Sequence, residues 1–144
     1  MGQRAAAAAR AALPTADAKA AAWAAVVESD ALPNALQAAT IGGFGRVHDR
    51  ALLRPFVAPY FDGLERVWSE KTNEMAQNIV TGLYPTELAD DAGDGAVDVA
   101  GATDAWLAAH PDAAPALRRL VVEARDGVRR LLAAQAADRH YHEV

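Results

Sequence analysis

The sequence predicts an all-α fold in which antiparallel helix pairs form one domain over residues 1–144. A chain of 144 residues is long enough to bury a core of its own. Hydrophobic residues make up 52% of it, and alanine supplies much of that share. This composition favours helix, because alanine loses no side-chain entropy on becoming helical. No segment alternates apolar and polar residues with a period of two, so no strand is predicted.

The first third of the chain predicts three helices joined by short links. They are expected at about 4–12, 16–28 and 34–43. Pro14 ends the first, and Thr15 is placed to cap the second. The pair Gly42-Gly43 is expected to end the third, since glycine is common at helix ends.

The stretch "ALLRPFVAPYFDGLERVWSEK" (51–71) carries the clearest helical pattern. Its large apolar residues recur at spacings of three and four: Leu53, Val57, Tyr60, Phe61, Leu64, Val67 and Trp68. Pro59 implies a kink or a later start of this helix, because proline lacks the amide hydrogen that an inner turn needs. The next stretch, "NEMAQNIVTGLYP" (73–85), predicts a helix that stops at Gly82 to Pro85.

The last third predicts a loop and two helices. Residues 86–103 are acidic and contain glycine, which indicates a loop with some short helix, and a brief helix is expected around Trp106 and Leu107. A long helix over about 113–137 has one apolar stripe. Its other face carries Arg118, Arg119, Arg125, Arg129 and Arg130. We interpret this face as solvated, and contact with a carboxylate-bearing ligand or partner is the alternative.

Charge and composition exclude several function classes. Fourteen basic and nineteen acidic residues give a net charge of -5, which argues against a nucleic-acid partner because binding to phosphates needs clustered Lys and Arg. No apolar run approaches the roughly 20 residues that span a bilayer. The chain has no cysteine, so it has no disulfide and no thiolate nucleophile. These features fit a cytoplasmic protein.

The histidines do not have the spacing of a zinc peptidase. That class needs a pattern such as His-Glu-x-x-His, which places two imidazoles on one helix face beside a basic glutamate. The histidines here are His48, His110, His140 and His142, and no pair fits the pattern. We expect His140 and His142 to be solvated residues of the tail. No metal ligand is therefore predicted.

Two further candidates for chemistry are also weak. The stretch "DDAGDGAVDVAG" (90–101) resembles a calcium loop only in part, because Ala92 and Gly101 stand where the third and twelfth ligands belong. Ser29 and Ser69 are not in a Gly-x-Ser-x-Gly setting. The residues by themselves predict a helical module with no catalytic residues.

Three arginines precede the strongly apolar helix and are the candidate binding residues. Arg46, Arg50 and Arg54 are spaced four apart and could line a concave surface that contacts a substrate carboxylate. A role in solubility is the plainer interpretation of the same residues.

The order of these segments resembles the C-terminal end of actinobacterial aminopeptidase N, of the membrane alanyl aminopeptidase family. The resemblance covers nearly the whole chain and is strongest at four places. These are Lys19 to Trp23, Pro59-Tyr60-Phe61 with Trp68, Gly82 to Pro85, and Ala116 to Arg130. Pro33 departs from the pattern, since a small capping residue such as serine is expected there. The His-Glu-x-x-His and Gly-x-Met-Glu-Asn motifs of the family are absent, so no catalytic or zinc-binding residue is carried over.

The resemblance implies a C-terminal fragment of a zinc metallopeptidase that removes N-terminal residues from peptides. It implies a short α-solenoid related to HEAT-type repeats, packed against an upstream catalytic domain that holds the zinc and encloses the substrate cavity. The fragment alone is expected to be inactive and to expose an apolar patch for the missing domains. The alternative is a free-standing helical scaffold for protein interaction, whose gene would have this length. Substrate preference and oligomeric state are not predicted.

Overall fold

The computed structural model of the chain is all-α, as the sequence predicts. It describes residues 2–47, 49–89 and 97–143, and no strand occurs among them. The α-helices of these residues are α1 (Gly2–Ala12), α2 (Ala16–Trp23), α3 (Asn34–Phe44), α4 (Val57–Glu70), α5 (Asn73–Gly82), α6 (Val99–Ala109) and α7 (Pro115–Glu143). None of these helices combines the length and the apolar character that crossing a bilayer requires.

The chain divides into two compact units. The first is Met1–Tyr84 and contains α1 to α5, and the second is Pro85–Val144 and contains α6 and α7. The single domain over 1–144 stays a prediction, as does the solenoid arrangement of the helix pairs.

The predicted second helix is present but changes its winding partway. Thr15 caps α2 by accepting a hydrogen bond from the Ala18 amide at 3.1 Å. Beyond Trp23 the helix continues as one turn of π-helix, Ala24–Glu28. The overall span therefore matches the expected 16–28, while the wider turn gives no signal in the apolar periodicity.

Pro59 lies close to the start of its helix, in agreement with the late start that the sequence offers as one of two outcomes. Two 3₁₀ turns, Arg50–Leu52 and Arg54–Phe56, precede α4, which begins at Val57. Pro59 therefore lies in the first turn of α4, where amide hydrogens have no partner within the helix. The apolar residues before Val57 therefore lie in or between these two 3₁₀ turns and not in α4.

The sequence predicts a loop with some short helix over 86–103 and a brief helix around Trp106, but α6 already begins at Val99 and takes in the last part of that stretch. Asp98 caps the helix by accepting a hydrogen bond from the Gly101 amide at 2.9 Å. Val99 and Thr103 are buried in this first part of the helix. A capped and buried turn thus forms where small residues and glycine weaken the sequence pattern.

The stretch Gly82 to Tyr84 ends α5 and supplies part of the core of the first unit. Gly82 lies against Ile41 so closely that a Cβ atom there would overlap its side chain. Tyr84 is only 2% exposed and meets the ring of Tyr60 edge to face at 5.9 Å. The hydroxyl of Tyr60 donates to the carbonyl of Val80 at 2.6 Å. The segment therefore fixes the end of α5 against both α3 and α4.

In the second unit, α6 and α7 form an antiparallel pair. Arg118, early in α7, donates to carbonyls at the end of α6, while Arg125 and Arg129 reach Asp104 further back along α6. Contacts that run in opposite directions along the two helices require the antiparallel arrangement that the short link between them predicts.

Candidate functional site

The most unusual group in the first unit is a buried lysine between two helix ends. Lys19 is fully buried, and its Nζ donates to the carbonyls of Ala11 at 2.6 Å and Phe44 at 2.9 Å. Longer contacts reach the carbonyls of Gly43 at 3.5 Å and Arg46 at 3.4 Å. Ala11 belongs to the end of α1 and Phe44 to the end of α3. One ammonium on α2 therefore joins the C-terminal ends of two other helices.

Two opposing electrostatic effects act on this ammonium. Burial takes the charge out of water and lowers the pKa of Lys19. The carbonyls at a helix C-terminus carry partial negative charge, which favours a cation by about 0.3–1 kcal/mol at each end. The ring of Phe44 lies 5.7 Å from Nζ and adds its negative face. The carbonyls thus offset only part of the cost of desolvation, and we assign Lys19 a structural role.

Gly43 allows the two helix ends to come close enough for one lysine to bind both. A Cβ atom at Gly43 would overlap the backbone carbonyl of Ala8 in α1. The sequence predicts that Gly42-Gly43 ends the third helix, but α3 continues to Phe44. Gly43 is therefore a helix-packing position, whereas a Cβ at Gly42 would meet nothing.

The three candidate arginines lie along the segment that joins α3 to α4. Arg46 follows α3 and is exposed, while Arg50 and Arg54 are half-buried in the two 3₁₀ turns. The Nε atom of Arg54 is buried. Their predicted contact with substrate stays a prediction.

The arginine face of α7 serves mainly to hold α6. Arg118 donates to the carbonyls of Leu107 at 2.9 Å and His110 at 2.6 Å, at the end of α6. Other arginines of this face bind carboxylates: Arg125 and Arg129 contact Asp104 at 2.9 and 2.6 Å, and Arg119 lies 3.9 Å from Glu123. The face is exposed at Arg119, Arg129 and Arg130, as the solvated interpretation predicts, whereas Arg118 and Arg125 are half-buried where they join α7 to α6. The carbonyl cap by Arg118 repeats, in the second unit, the device that Lys19 supplies in the first.

An open apolar groove of about 920 Å³ lies between α1, α2 and the beginning of α3. Seven of its lining residues are alanines, and Leu13, Leu32 and Leu36 add larger apolar side chains. Leu13 is 51% exposed, which is high for a leucine. Arg10 is the one charged side chain among the described residues that line the groove. The family resemblance predicts an exposed apolar patch where further domains dock, and a docking role for this groove stays a prediction.

A smaller cavity of about 250 Å³ lies beside the π-helical turn and is lined by charged side chains. Arg66 and Lys71 of this lining each lie close to a carboxylate. Arg66 lies 3.0 Å from Glu70, and Lys71 lies 2.7 Å from Asp30. Lys71 also donates to the carbonyl of Ser29 at 3.0 Å. Lys71 therefore connects the end of α4 to the chain after the π-helical turn, whereas Arg66 and Glu70 form an exposed pair within α4.

The histidines and the acidic loop form no metal site among the described residues. His110 stacks on Trp106 with ring centroids 4.7 Å apart, and its Nδ1 lies 2.8 Å from the Trp106 carbonyl. His140 and His142 are exposed near the end of α7. His48 and residues 90–96 lie outside the described residues. Within 2–47, 49–89 and 97–143, no three His, Cys, Asp or Glu residues are grouped to hold a metal ion.

Sequence reasoning missed the role of Lys19. It singles out Lys19 to Trp23 only as part of the family resemblance. One signal was available: a lone lysine lies in an otherwise alanine-rich helix, on the same side as the buried Ala22 and Trp23. The carbonyls that it binds belong to other helices, and sequence spacing does not bring them together.

Comparison with known proteins places this architecture in a family. Residues 1–130 match the family model described as the ERAP1-like C-terminal domain. The chain is also similar to aminopeptidase N of Streptomyces lividans, with 53% identity over 138 residues. That match covers 95% of this chain but only 15% of the relative, so the chain spans about a seventh of the length of the curated relative. The chain belongs to the ERAP1-like C-terminal domain family, as the C-terminal domain of an aminopeptidase N.

Proposed function

We propose that the chain is a non-catalytic C-terminal domain of a zinc aminopeptidase that removes N-terminal residues from peptides. The observation that carries the proposal is the 53% identity to aminopeptidase N over 95% of this chain. At that level of identity a domain keeps its fold and its place within the longer polypeptide. The zinc and the catalytic residues then belong to a separate part of that polypeptide.

The chemistry of the residues supports a non-catalytic role. The sequence has no His-Glu-x-x-His pattern, and its unusual buried group, Lys19, is used to join helix ends. Arg118, Arg125 and Arg129 of α7 likewise contact α6. Helix pairs joined in this way are suited to holding a shape, and zinc chemistry needs at least three ligands that converge on one point.

The domain's role in the proposal is to enclose the substrate cavity of the parent enzyme. Closing a cavity excludes water and large substrates, and this depends on shape more than on one side chain. Arg46, Arg50 and Arg54 are the candidate contacts for a peptide carboxylate. We also propose that the protein is cytoplasmic and that its partner is a catalytic domain of the same polypeptide.

The proposal is tested by hydrolysis of alanyl-4-nitroanilide with added zinc. The isolated chain is compared with the longer polypeptide encoded by its gene. We expect only the longer polypeptide to cleave the substrate. Cleavage by the isolated chain, or inactivity of both proteins, would refute the proposal.

A matched set of variants tests the arginine contacts in the longer polypeptide. Arg46→Glu, Arg50→Glu and Arg54→Glu should each raise KM for a short peptide and leave kcat for alanyl-4-nitroanilide unchanged, because each change affects binding of the distant carboxylate. Arg4→Glu, on the exposed part of α1, is the control. An unchanged KM for all three arginine variants would remove them from the substrate site. The free-standing scaffold is not favoured, because the chain matches only 15% of the length of a relative that is an aminopeptidase N.

A further inference from the structure

The groove between α1, α2 and α3 has no described segment of this chain over it, although its walls are apolar. Within the same unit, α1 already packs on α3, and at Gly43 the two helix backbones lie close together. Alanines such as Ala6, Ala18 and Ala25 line the groove. Small side chains let a further helix approach closely, so the groove has the surface of a helix-packing site with one helix absent.

We propose that this groove holds an apolar helix from the part of the longer polypeptide that precedes α1. This inference rests on the proposed function, which makes the chain one domain of a longer enzyme. The relative extends far beyond this chain, which covers 15% of it. Gly2 and Gln3 are themselves lining residues. A segment joined to the start of α1 therefore enters at the groove and is held there at high effective concentration.

The charge of Arg10 restricts the kind of helix that can bind in the groove. Arg10 is exposed and lies on the groove, where the other described lining residues are uncharged. Burial of its guanidinium without a partner would be costly. The occupying helix therefore presents small or aliphatic residues along one face and a carboxylate opposite Arg10. This pairing sets the register of the helix in the groove.

Thiol labelling tests the inference, because the chain has no cysteine of its own. Ala21→Cys places a thiol on the groove, and Ala20→Cys places one beside it on the same helix but off the groove. Both alanines are exposed. The two variants are labelled in the isolated chain and in the longer polypeptide, and peptide mass spectrometry measures the rate at each position.

We expect equal labelling rates for the two positions in the isolated chain. In the longer polypeptide, labelling at position 21 should slow by about tenfold or more, while position 20 changes little. Equal rates at position 21 in both proteins would overturn the inference. So would slow labelling at position 21 in the isolated chain together with a dimeric mass, because the groove would then bind a second copy.

The charge on the occupant is tested in the same assay. Arg10→Glu in the longer polypeptide should restore several-fold faster labelling at position 21, and Arg4→Glu, off the groove on the same helix, should not. Equal effects of the two variants would refute the carboxylate opposite Arg10.

Hydrolysis of alanyl-4-nitroanilide by the same preparations separates the two proposals. An active enzyme with an open groove refutes this inference alone, and a filled groove without activity refutes the proposed function alone.

Discussion

Replacing the buried lysine tests how the first unit is held together. In Lys19→Met the side chain keeps its length but loses its donors, so the carbonyls of Ala11 and Phe44 lose bonds of 2.6 and 2.9 Å. Each buried carbonyl left without a donor costs about 1–3 kcal/mol. Relief from burying the ammonium returns part of this cost, because its desolvation is removed. We expect the free energy of unfolding to fall by about 2–4 kcal/mol.

Urea denaturation of wild type and variant measures the change as a shift in midpoint at constant slope. Lys71→Met is the matched control, because Lys71 is also buried but donates to one backbone carbonyl and to an exposed Asp30. The control should lose about 1 kcal/mol. Equal losses for the two variants would refute the claim that Lys19 joins two helix ends.

The same pair of proteins gives a pH signature. Burial lowers the pKa of Lys19 in the folded state below the ordinary value near 10.5. Between those two pKa values the unfolded chain binds more protons than the folded one, so stability rises with pH across that window. Wild type should therefore gain stability relative to Lys19→Met as pH approaches 10.5. A difference that stays constant or shrinks would contradict the direction of the pKa shift.

Three further predictions follow from contacts in the two units, each measured by urea denaturation. Gly43→Ala should cost about 1–3 kcal/mol because α1 must move, whereas Gly42→Ala should gain about 0.5–1 kcal/mol; equal effects would contradict the close approach. Arg118→Met should cost about 1–3 kcal/mol, and Arg119→Met, a largely exposed arginine, under about 0.5; the reverse order would refute the helix cap. Tyr60→Phe should cost about 1 kcal/mol at neutral pH. Burial raises the pKa of Tyr60, so wild type should lose stability above about pH 10 and the variant should lose less; parallel curves would contradict this.

The helix pattern was predictable wherever large apolar residues recur at helical spacing. The residues from Val57 to Trp68 specify α4, and the proline at Pro59 correctly points to a start that lies close before it. The beginning of α6 was not predictable in this way, because its first turn is made of valine, alanine and glycine. The helix begins at Val99 because Asp98 caps it. In an acidic stretch of sequence, the one aspartate that caps a helix looks like its neighbours.

The site was less predictable than the fold, because its contacts join distant parts of the chain. Lys19 binds carbonyls that are 8 to 27 residues away along the chain. Backbone carbonyls carry no sequence signature, so a lysine that binds them looks like any other lysine. The same reason explains Arg118, which the sequence places on a solvated face and the structure places at the end of α6.

The metal content of purified protein tests the central claim most directly. The account places the catalytic zinc in a part of the longer polypeptide outside this chain. It predicts about one zinc per longer polypeptide and far below one per isolated chain after dialysis. Stoichiometric zinc in the isolated chain, accompanied by hydrolysis of alanyl-4-nitroanilide, would contradict the account.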